Sequence, residues 1–348
     1  MSSNISFSIY VSTWRENIEA LPSVYTDGAS VFTSLHVPEE NNEEFINEAT
    51  EMIKSVKKIG YNVIADVSNK TLSNFKVTSL EELANLLPID ILRIDYGFNI
   101  SEIIEIKNNV KIAINGSTIN KNLLEKLNDT PEQLIAIHNF YPRVDTGLDD
   151  KQFIDLNNML LENNFRIYTF IPGDLNLRGP VYEGLPTLES HRNCSPYACF
   201  VDMHKNYSIN DIIVGDGIIS HVEYDMIKYY KENNVIILPV ELDENYKYLD
   251  GTIFSIREDS PYSLLRLKES REYALMGDKI YDHNCIKRIR GCLTIDNYKY
   301  GRYSGEIQIT KKDYQADERV NVIGQIKDEY ILLLKCIKNG DKIKIINV

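Results

Sequence analysis

Eight short runs rich in Ile, Val, Phe and Tyr recur along the first two thirds of the chain, at Ile5–Tyr10, Ser30–Leu35, Tyr61–Val67, Ile89–Asp95, Val110–Asn115, Leu134–Phe140, Phe165–Ile171 and Asp211–Val214. Polar loops follow them, and between them lie stretches with apolar residues near 3.6 spacing, at Glu43–Ile59, Ser79–Leu87, Ile119–Leu127 and Lys151–Asn163. Continuous apolar strands alternating with helices in units of about 30 residues indicate parallel βα units. Eight such units predict an α/β fold, a (β/α)8 TIM barrel, with the open doubly wound sheet as the alternative.

After Pro239 the pattern changes. Short runs at Gly251–Ile256, Gly291–Ile295, Ser304–Thr310, Asn321–Ile326, Tyr330–Cys336 and Lys342–Val348 are separated by turn residues such as Lys338-Asn339-Gly340-Asp341, so they read as strands. Ser263–Leu275 reads as a helix from the spacing of Leu264, Leu267 and Leu275. The expectation is a barrel domain over residues 1–241 and a small β-rich barrel domain over residues 242–348.

Composition narrows the partners. A chain of 348 residues with 43% hydrophobic and 26% charged residues has the material for a sizeable core. Its net charge of -13 gives no general attraction to nucleic acid or to an anionic membrane, so an anionic ligand would need local arginines. The N-terminus lacks a basic segment followed by a short apolar run, and nowhere do about 18 apolar residues follow one another, which reads as a cytoplasmic protein. The five cysteines form no CxxC pair and fit reduced thiols. The six histidines show no paired metal spacing, no GxxxxGK[ST], GxSxG or HExxH occurs, and none of the strand ends carries a lysine. No metal or cofactor is expected. Exposed edges of a β-rich domain would allow a homo-oligomer, although no segment compels one.

In a TIM barrel the chemistry sits where strands end and loops begin. Those positions here are polar: Ser12, Thr13 and Trp14 after the first strand, His36 after the second, then Asp66, Asp95, Asn115, and His138, Asn139, Tyr141 and Arg143 after the sixth. The seventh strand opens into FIPGDLNLRGPVYEGLPTLESHR, residues Phe170 to Arg192, where three prolines and three glycines shape a loop carrying Asp174, Asn176, Arg178, Tyr182 and Glu183. The eighth ends at Gly215-Asp216-Gly217.

Acids recur on this face, and paired carboxylates at a barrel mouth are what glycoside hydrolysis uses. Any one of them could instead cap a helix or pair with Arg93, Arg143 or Arg178. Glu183 and Asp95 are the catalytic candidates. Val181, Leu185 and the flanking prolines would desolvate Glu183 and raise its pKa, suiting it to act as an acid. Strand alternation past Ile94 aims Asp95 at the barrel axis. Asp95 would activate water, act as nucleophile, or orient a participating group of the substrate itself. Ser220 and Glu223 have capping-box spacing, so a helix is expected to begin after Asp216. Arg178 and Arg143 are better placed than that helix start to hold a phosphate, which Asp216 would repel.

These segments also carry a family resemblance. FSIYVS (Phe7 to Ser12), RIDYGF (Arg93 to Phe98), HNFYPRVDTGL (His138 to Leu148), PGDLNLRGPVYEGLPTLESHR (Pro172 to Arg192) and GRYSGEIQI (Gly301 to Ile309) are similar to recurring motifs of the bacterial 6-phospho-N-acetylmuramidases. The resemblance spans nearly the whole chain. It implies a TIM barrel followed by a cyclophilin-like β-barrel domain, and cytoplasmic hydrolysis of the β-1,4 bond of 6-phospho-N-acetylmuramyl-N-acetylglucosamine in cell-wall recycling. The partner it implies is therefore a phosphorylated amino-sugar disaccharide. In the tail, Tyr300, Arg302, Tyr303, Ser304 and Glu306 form a dense polar cluster, and Arg302 is a candidate to meet the sugar or its phosphate. A phosphosugar isomerase or lyase, and a phosphosugar-binding regulatory protein, are the alternative functions for the same barrel.

Overall fold

A computed structural model of the chain describes residues 4–35, 43–95, 97–99, 102–103, 110–127, 134–271 and 277–348. His36, Tyr96 and the last four residues of the Ser263–Leu275 stretch lie outside them. Two compact units divide the chain, residues 1–196 with 207–224, and residues 197–206 with 225–348.

The eight apolar runs become eight strands: β1 (Asn4–Ser8), β2 (Ser30–Ser34), β3 (Asn62–Val67), β4 (Ile91–Ile94), β5 (Lys111–Asn115), β6 (Ile135–Ile137), β7 (Arg166–Ile171) and β8 (Asp211–Val214). Each pairs in parallel with the next, and β8 returns to β1 from Asn4↔Asp211 to Phe7↔Val214, closing a TIM barrel. Strands buried on both faces explain why they read as unbroken apolar runs. Phe32, Ile64, Ile91, Ala113, Ile135, Ile137, Tyr168, Phe170 and Ile213 form one core cluster, against which the partly buried Phe140 packs. Phe170 meets Phe32 and Phe140 edge to face at ring separations of 5.0 and 5.1 Å.

The helices begin where side chains can satisfy their first N–H groups. Ser79 accepts the Glu82 N–H ahead of Leu80–Leu86, and Asp149 accepts the Gln152 N–H ahead of Asp150–Glu162. Ser220 accepts the Glu223 N–H ahead of His221–Asn233, as its spacing predicted. No helix among the described residues is long and apolar enough to cross a membrane.

The second unit carries a seven-stranded sheet of order β10-β15-β9-β14-β12-β13-β11. Its strands are β9 (Val235–Leu242), β10 (Ile253–Ser255), β11 (Leu264–Arg266), β12 (Cys292–Asp296), β13 (Ile307–Thr310), β14 (Val320–Ile326) and β15 (Lys342–Asn347). The β9–β15 pair is parallel and the others are antiparallel. A single bridge between Ile256 and Leu267, just past the two edge strands, brings the sheet back on itself.

Two expected elements are corrected here. The stretch from Ser263 is no helix as far as it is described: Leu265 and Leu267 are buried while Leu264 and Arg266 are half-buried, a period of two, and Leu264 pairs with Thr310. Tyr330–Cys336 is helical rather than extended, with a 3-10 turn at Asp328–Tyr330 and a helix at Leu333–Cys336. Tyr330, Leu333, Leu334, Cys336 and Ile337 are buried, and four of these five positions, 330, 333, 334 and 337, fall at helical spacing.

Phe170→Ala is expected to cost about 3–5 kcal/mol, because the ring leaves a cavity at the barrel's centre that its neighbours cannot fill. A drop in the urea midpoint of unfolding measures this; an unchanged midpoint would show that the barrel core is not packed as described.

Candidate active site

Side chains alternate along a strand, so residues two apart share a face. At the C-terminal end of β4 this rule sends Arg93 and Asp95 to the same side, into the mouth of the barrel. Asp66 of β3 and Asn115 of β5 come from the flanking strands, and Asn139 follows β6. Together with Ser34, Phe32, His138, Phe140, Phe170 and Arg178, the residues Asp66, Arg93, Asp95 and Asn139 line a cavity of about 310 Å³.

Arg93 is the centre of this cavity and is only 3% exposed. It donates to Asp66 Oδ1 at 2.6 Å through Nη1, to Asn139 Oδ1 through Nη2 and to the Ile137 carbonyl through Nε, and Nη1 lies 3.6 Å from Asp95 Oδ1. Asn115 Nδ2 donates both to Asp95 Oδ1, at 3.2 Å, and to Asn139 Oδ1, at 2.9 Å. The carboxylates neutralise a guanidinium that would be costly to bury alone.

Behind Asn139 lies a buried relay. Its N–H donates to Ser117 Oγ at 2.9 Å, Ser117 Oγ meets His138 Nδ1 at 3.1 Å, and His138 Nε2 meets Asn157 Oδ1 at 2.8 Å. Burial pushes the His138 pKa down to about 4, so the ring is neutral at physiological pH. Thr187 closes the other side, donating from Oγ1 to the Asn139 carbonyl and accepting the Phe170 N–H.

The long loop after β7 is held by two buried charges. Asp216, past β8, accepts the N–H groups of Gly173, Leu185 and Arg178 at 2.9 to 3.0 Å. Arg192 donates to the carbonyls of Glu183, Gly184, Tyr141 and Arg143, and pairs with Glu189 at 2.6 Å. The Arg192 guanidinium in turn holds the Glu189 carboxyl down at about 2. Two glycines permit this wrapping: Gly184 has φ +77°, and a Cβ on Gly215 would sit 2.6 Å from the Leu185 carbonyl oxygen. The result mounts Arg178 over the Tyr10 ring at 3.5 Å, with Tyr10 buried and its hydroxyl donating to the Gly215 carbonyl.

The candidates from the sequence therefore separate. Asp66, Asp95, His138, Asn139 and Arg178 come together at the cavity, with Asn115 bonded to two of them. Asp216 faces the loop backbone, and Asp174 accepts the Ser220 N–H at the start of the following helix, the capping role that was open to any acid of this set. Arg143, Asn176, Tyr182 and Glu183 are exposed and Tyr141 is half-buried. Of the residues expected to desolvate Glu183, Leu185 and Pro186 are buried, but Val181 is 44% exposed and Glu183 itself is exposed, on a turn where Tyr182 has a left-handed φ of 59°. Arg302 belongs to the second unit, is exposed, and donates to the Tyr303 hydroxyl at 2.9 Å.

From the sequence Arg93 stands out only as a partner for acids, and Phe140, Ser117, Asn157 and Thr187 do not stand out at all. The i, i+2 relation of Arg93 to Asp95 carried a signal for the first. The others are recognisable only once β6, the helix Asp150–Glu162 and the β7 loop are side by side. Among the described residues, no group of three His, Cys, Asp or Glu side chains could hold a metal ion.

Fold and site define a TIM-barrel protein with a carboxylate-lined, arginine-centred cavity at the C-terminal mouth. The chain belongs to the 6-phospho-N-acetylmuramidase family: the N-terminal description of that family matches residues 5–229 and the C-terminal one residues 236–346. The family is named for a glycoside hydrolase. No curated protein matches the chain. Among solved structures it is similar to a conserved Enterococcus faecalis protein of unknown function, at 31% identity and a TM-score of 0.80, over 99% of this chain and 96% of that one. It is also similar to an uncharacterised B. cereus protein, at 26% identity and a TM-score of 0.74, over 99% of this chain and 100% of that one.

Two outcomes are expected from this geometry. With a folded pKa of about 4 against an ordinary 6.5, His138 stays neutral while the unfolded chain takes up a proton between those values. Stability should thus fall as pH drops from 6.5 to 4, by about 3 kcal/mol from this group, and level off below. Urea unfolding of wild type and His138→Gln at pH 7 and pH 4.5 tests this, since the variant lacks the titrating group and should lose that part of the slope. Asp216→Ala strands three loop N–H groups and should cost about 3 kcal/mol. Limited proteolysis should then cut between residues 173 and 185, and an uncut loop would show that Asp216 does not hold it.

Proposed function

We propose that this protein hydrolyses the β-1,4 bond of 6-phospho-N-acetylmuramyl-N-acetylglucosamine by carboxylate acid/base catalysis, as a cytoplasmic step in cell-wall recycling. The observation that carries this reading is the cavity at the barrel mouth, where Asp66 and Asp95 flank the buried Arg93. Family membership supports the substrate class. Arg178, on the same cavity wall, has the bidentate geometry suited to a phosphate.

In this reading Asp95 is the cavity carboxylate that acts at the sugar, and Asp66 serves by charge, holding Arg93. Glu183 is the general acid, carried on the turn whose backbone carbonyl Arg192 fixes at 2.9 Å. Its exposure makes it the less supported member of the pair, so the two carboxylates are tested separately. In the same reading the barrel unit is the catalytic domain and the unit that carries the seven-stranded sheet is the cyclophilin-like domain.

The purified protein is expected to release N-acetylglucosamine from the 6-phosphorylated disaccharide and not from its unphosphorylated form, followed by mass spectrometry. Cleavage of neither would overturn the hydrolase. Glu183→Gln and Asp95→Asn should each lower kcat by about 10² to 10⁴ if the residue acts as acid or base. Near-native turnover of Glu183→Gln beside a crippled Asp95→Asn would remove Glu183 from the mechanism and leave the cavity pair.

A further inference from the structure

The sheet of the second unit ends in two edge strands, β10 and β11, that approach each other without forming a full ladder. On one side of the Ile256–Leu267 bridge the Arg257 N–H reaches the Arg266 carbonyl at 2.9 Å. On the other side the pairing gives out. Lys268–Ser270 turns away as a 3-10 helix, and the Ser255 N–H is taken instead by the Glu269 carboxylate at 2.7 Å. A cavity of about 610 Å³ opens at this seam, about twice the size of the one at the barrel mouth. Arg257, Glu258 and Asp259 line it from the β10 side, and Lys268, Glu269 and Arg271 from the β11 side.

Alternation sorts the side chains here. Ile256, Leu267 and Ile307 are buried on one face of the sheet, which leaves Arg257, Arg266 and Glu306 together on the other. The buried Glu306 carboxylate is met by three guanidinium groups, Arg266 at 2.6 Å, Arg271 at 3.0 Å and Arg257 at 3.8 Å. That is more positive charge than one carboxylate neutralises, and charge out of water needs a counter-charge. Asp259, exposed at the rim, answers part of it, at 2.9 Å from Arg257 and 3.3 Å from Arg266. Asp296 on the same face is pushed up to about 7 by burial and by the Glu306 charge, so it supplies only a fraction of another. The acids of the cavity wall are engaged elsewhere: Asp259 with these arginines, Glu269 with Ser255, and Glu258 against the Gly340 turn, where a Cβ would come within 2.8 Å of its carboxylate.

Arg257 and Arg271 line the cavity, while Glu306, which orients them, does not. The Arg271 side chain is only 5% exposed, and its guanidinium also lies 5.3 Å from the centre of the Tyr303 ring. Side chains already held in place lose little freedom when a ligand arrives. A planar guanidinium fork matches the paired oxygens of a carboxylate or a phosphate, and Lys268 adds an ammonium on a flexible stem at the exposed rim. We propose that this seam cavity binds a small metabolite through a carboxylate or phosphate group, with Arg271 and Arg257 as fixed donors and Lys268 as the closing contact. The bound oxyanion would bridge the two sheet edges where strand pairing fails. A neutral ligand would leave the guanidinium excess unanswered, and a cation would be repelled by it. The site lies wholly within the second unit and does not depend on the hydrolysis proposed for the barrel.

Calorimetric titration of the full-length protein with malonate and, separately, with inorganic phosphate tests this. Arg178→Ala serves as the background, because it removes the cation offered to a phosphate at the barrel mouth. In that background saturable binding of at least one probe is expected, with a Kd of about 1 mM or tighter. Adding Lys268→Glu, a change at an exposed position, should weaken that binding about tenfold or more. Adding Arg271→Lys instead keeps the charge and loses the fork, and should weaken it as well, with circular dichroism to establish folding; if that variant does not fold, Lys268→Glu decides. Tighter malonate points to a carboxylate metabolite and tighter phosphate to a phosphorylated one, and either supports the site. No saturable binding of either probe, or binding that the folded variants leave unchanged, would overturn the inference.

Discussion

A guanidinium buried at the mouth of a parallel barrel has to be neutralised and hydrogen-bonded on all sides, and the arrangement of this cavity follows from satisfying Arg93. A side chain that is 3% exposed has little access to water, so the protein supplies Asp66, the Asp95 charge, the Asn139 amide oxygen and the Ile137 carbonyl. Those partners come from β3, from the end of β4 and from β6 with the residues after it. Meeting that requirement also orients the Asn139 amide and fixes Asp95 beside it, through the shared donor Asn115. The hydrogen bonds that allow Arg93 to be buried are thus the ones that fix the polar side chains lining the cavity.

The loop after β7 repeats the principle with backbone instead of side chains. Asp216 gathers three of its N–H groups, and Arg192 ties two of its carbonyls to two of the segment after β6, so a stretch with little regular structure becomes a fixed wall. Charged partners make stronger hydrogen bonds than neutral ones, which suits them to holding a loop with few apolar contacts. The loop then carries Arg178 to the cavity while leaving Val181, Tyr182 and Glu183 on its outer turn. The second unit shows the same device in its own core, where Arg266 and Arg271 hold the buried Glu306 at 2.6 and 3.0 Å. Nearby Asp296 is pushed up to about 7 by burial and by the Glu306 charge.

The barrel was legible because its signal is local. Eight strands buried on both faces must be apolar throughout, and the helices between them must show a stripe and a cap, so run, loop and period suffice. In the second unit the signal was weaker. Leu264–Arg266 and Leu333–Cys336 are short enough that three or four residues fit either period, and which one holds depends on the pairing of β11 with β13 and on which side chains are buried. Val235–Leu242 runs straight on from the barrel pattern, and only its pairing with β15 and β14 shows that it belongs to the other sheet.

For the site, the sequence by itself determined the cast: which acids, amides and arginines stand at strand ends, and by alternation that Asp95 faces the axis. It also held the motifs by which the family is recognised. Only the tertiary structure decided which of them face one another. Alternation relates Arg93 to Asp95, but Asp66, Ile137 and Asn139 are separated from it by 27 to 46 residues along the chain, and no local rule relates them. The same holds for Glu183: Leu185 beside it is buried, but the turn at Tyr182, in the left-handed region, carries Val181, Tyr182 and Glu183 into solvent. Burial is a property of what packs against a residue from elsewhere in the chain, and spacing along the chain does not contain it.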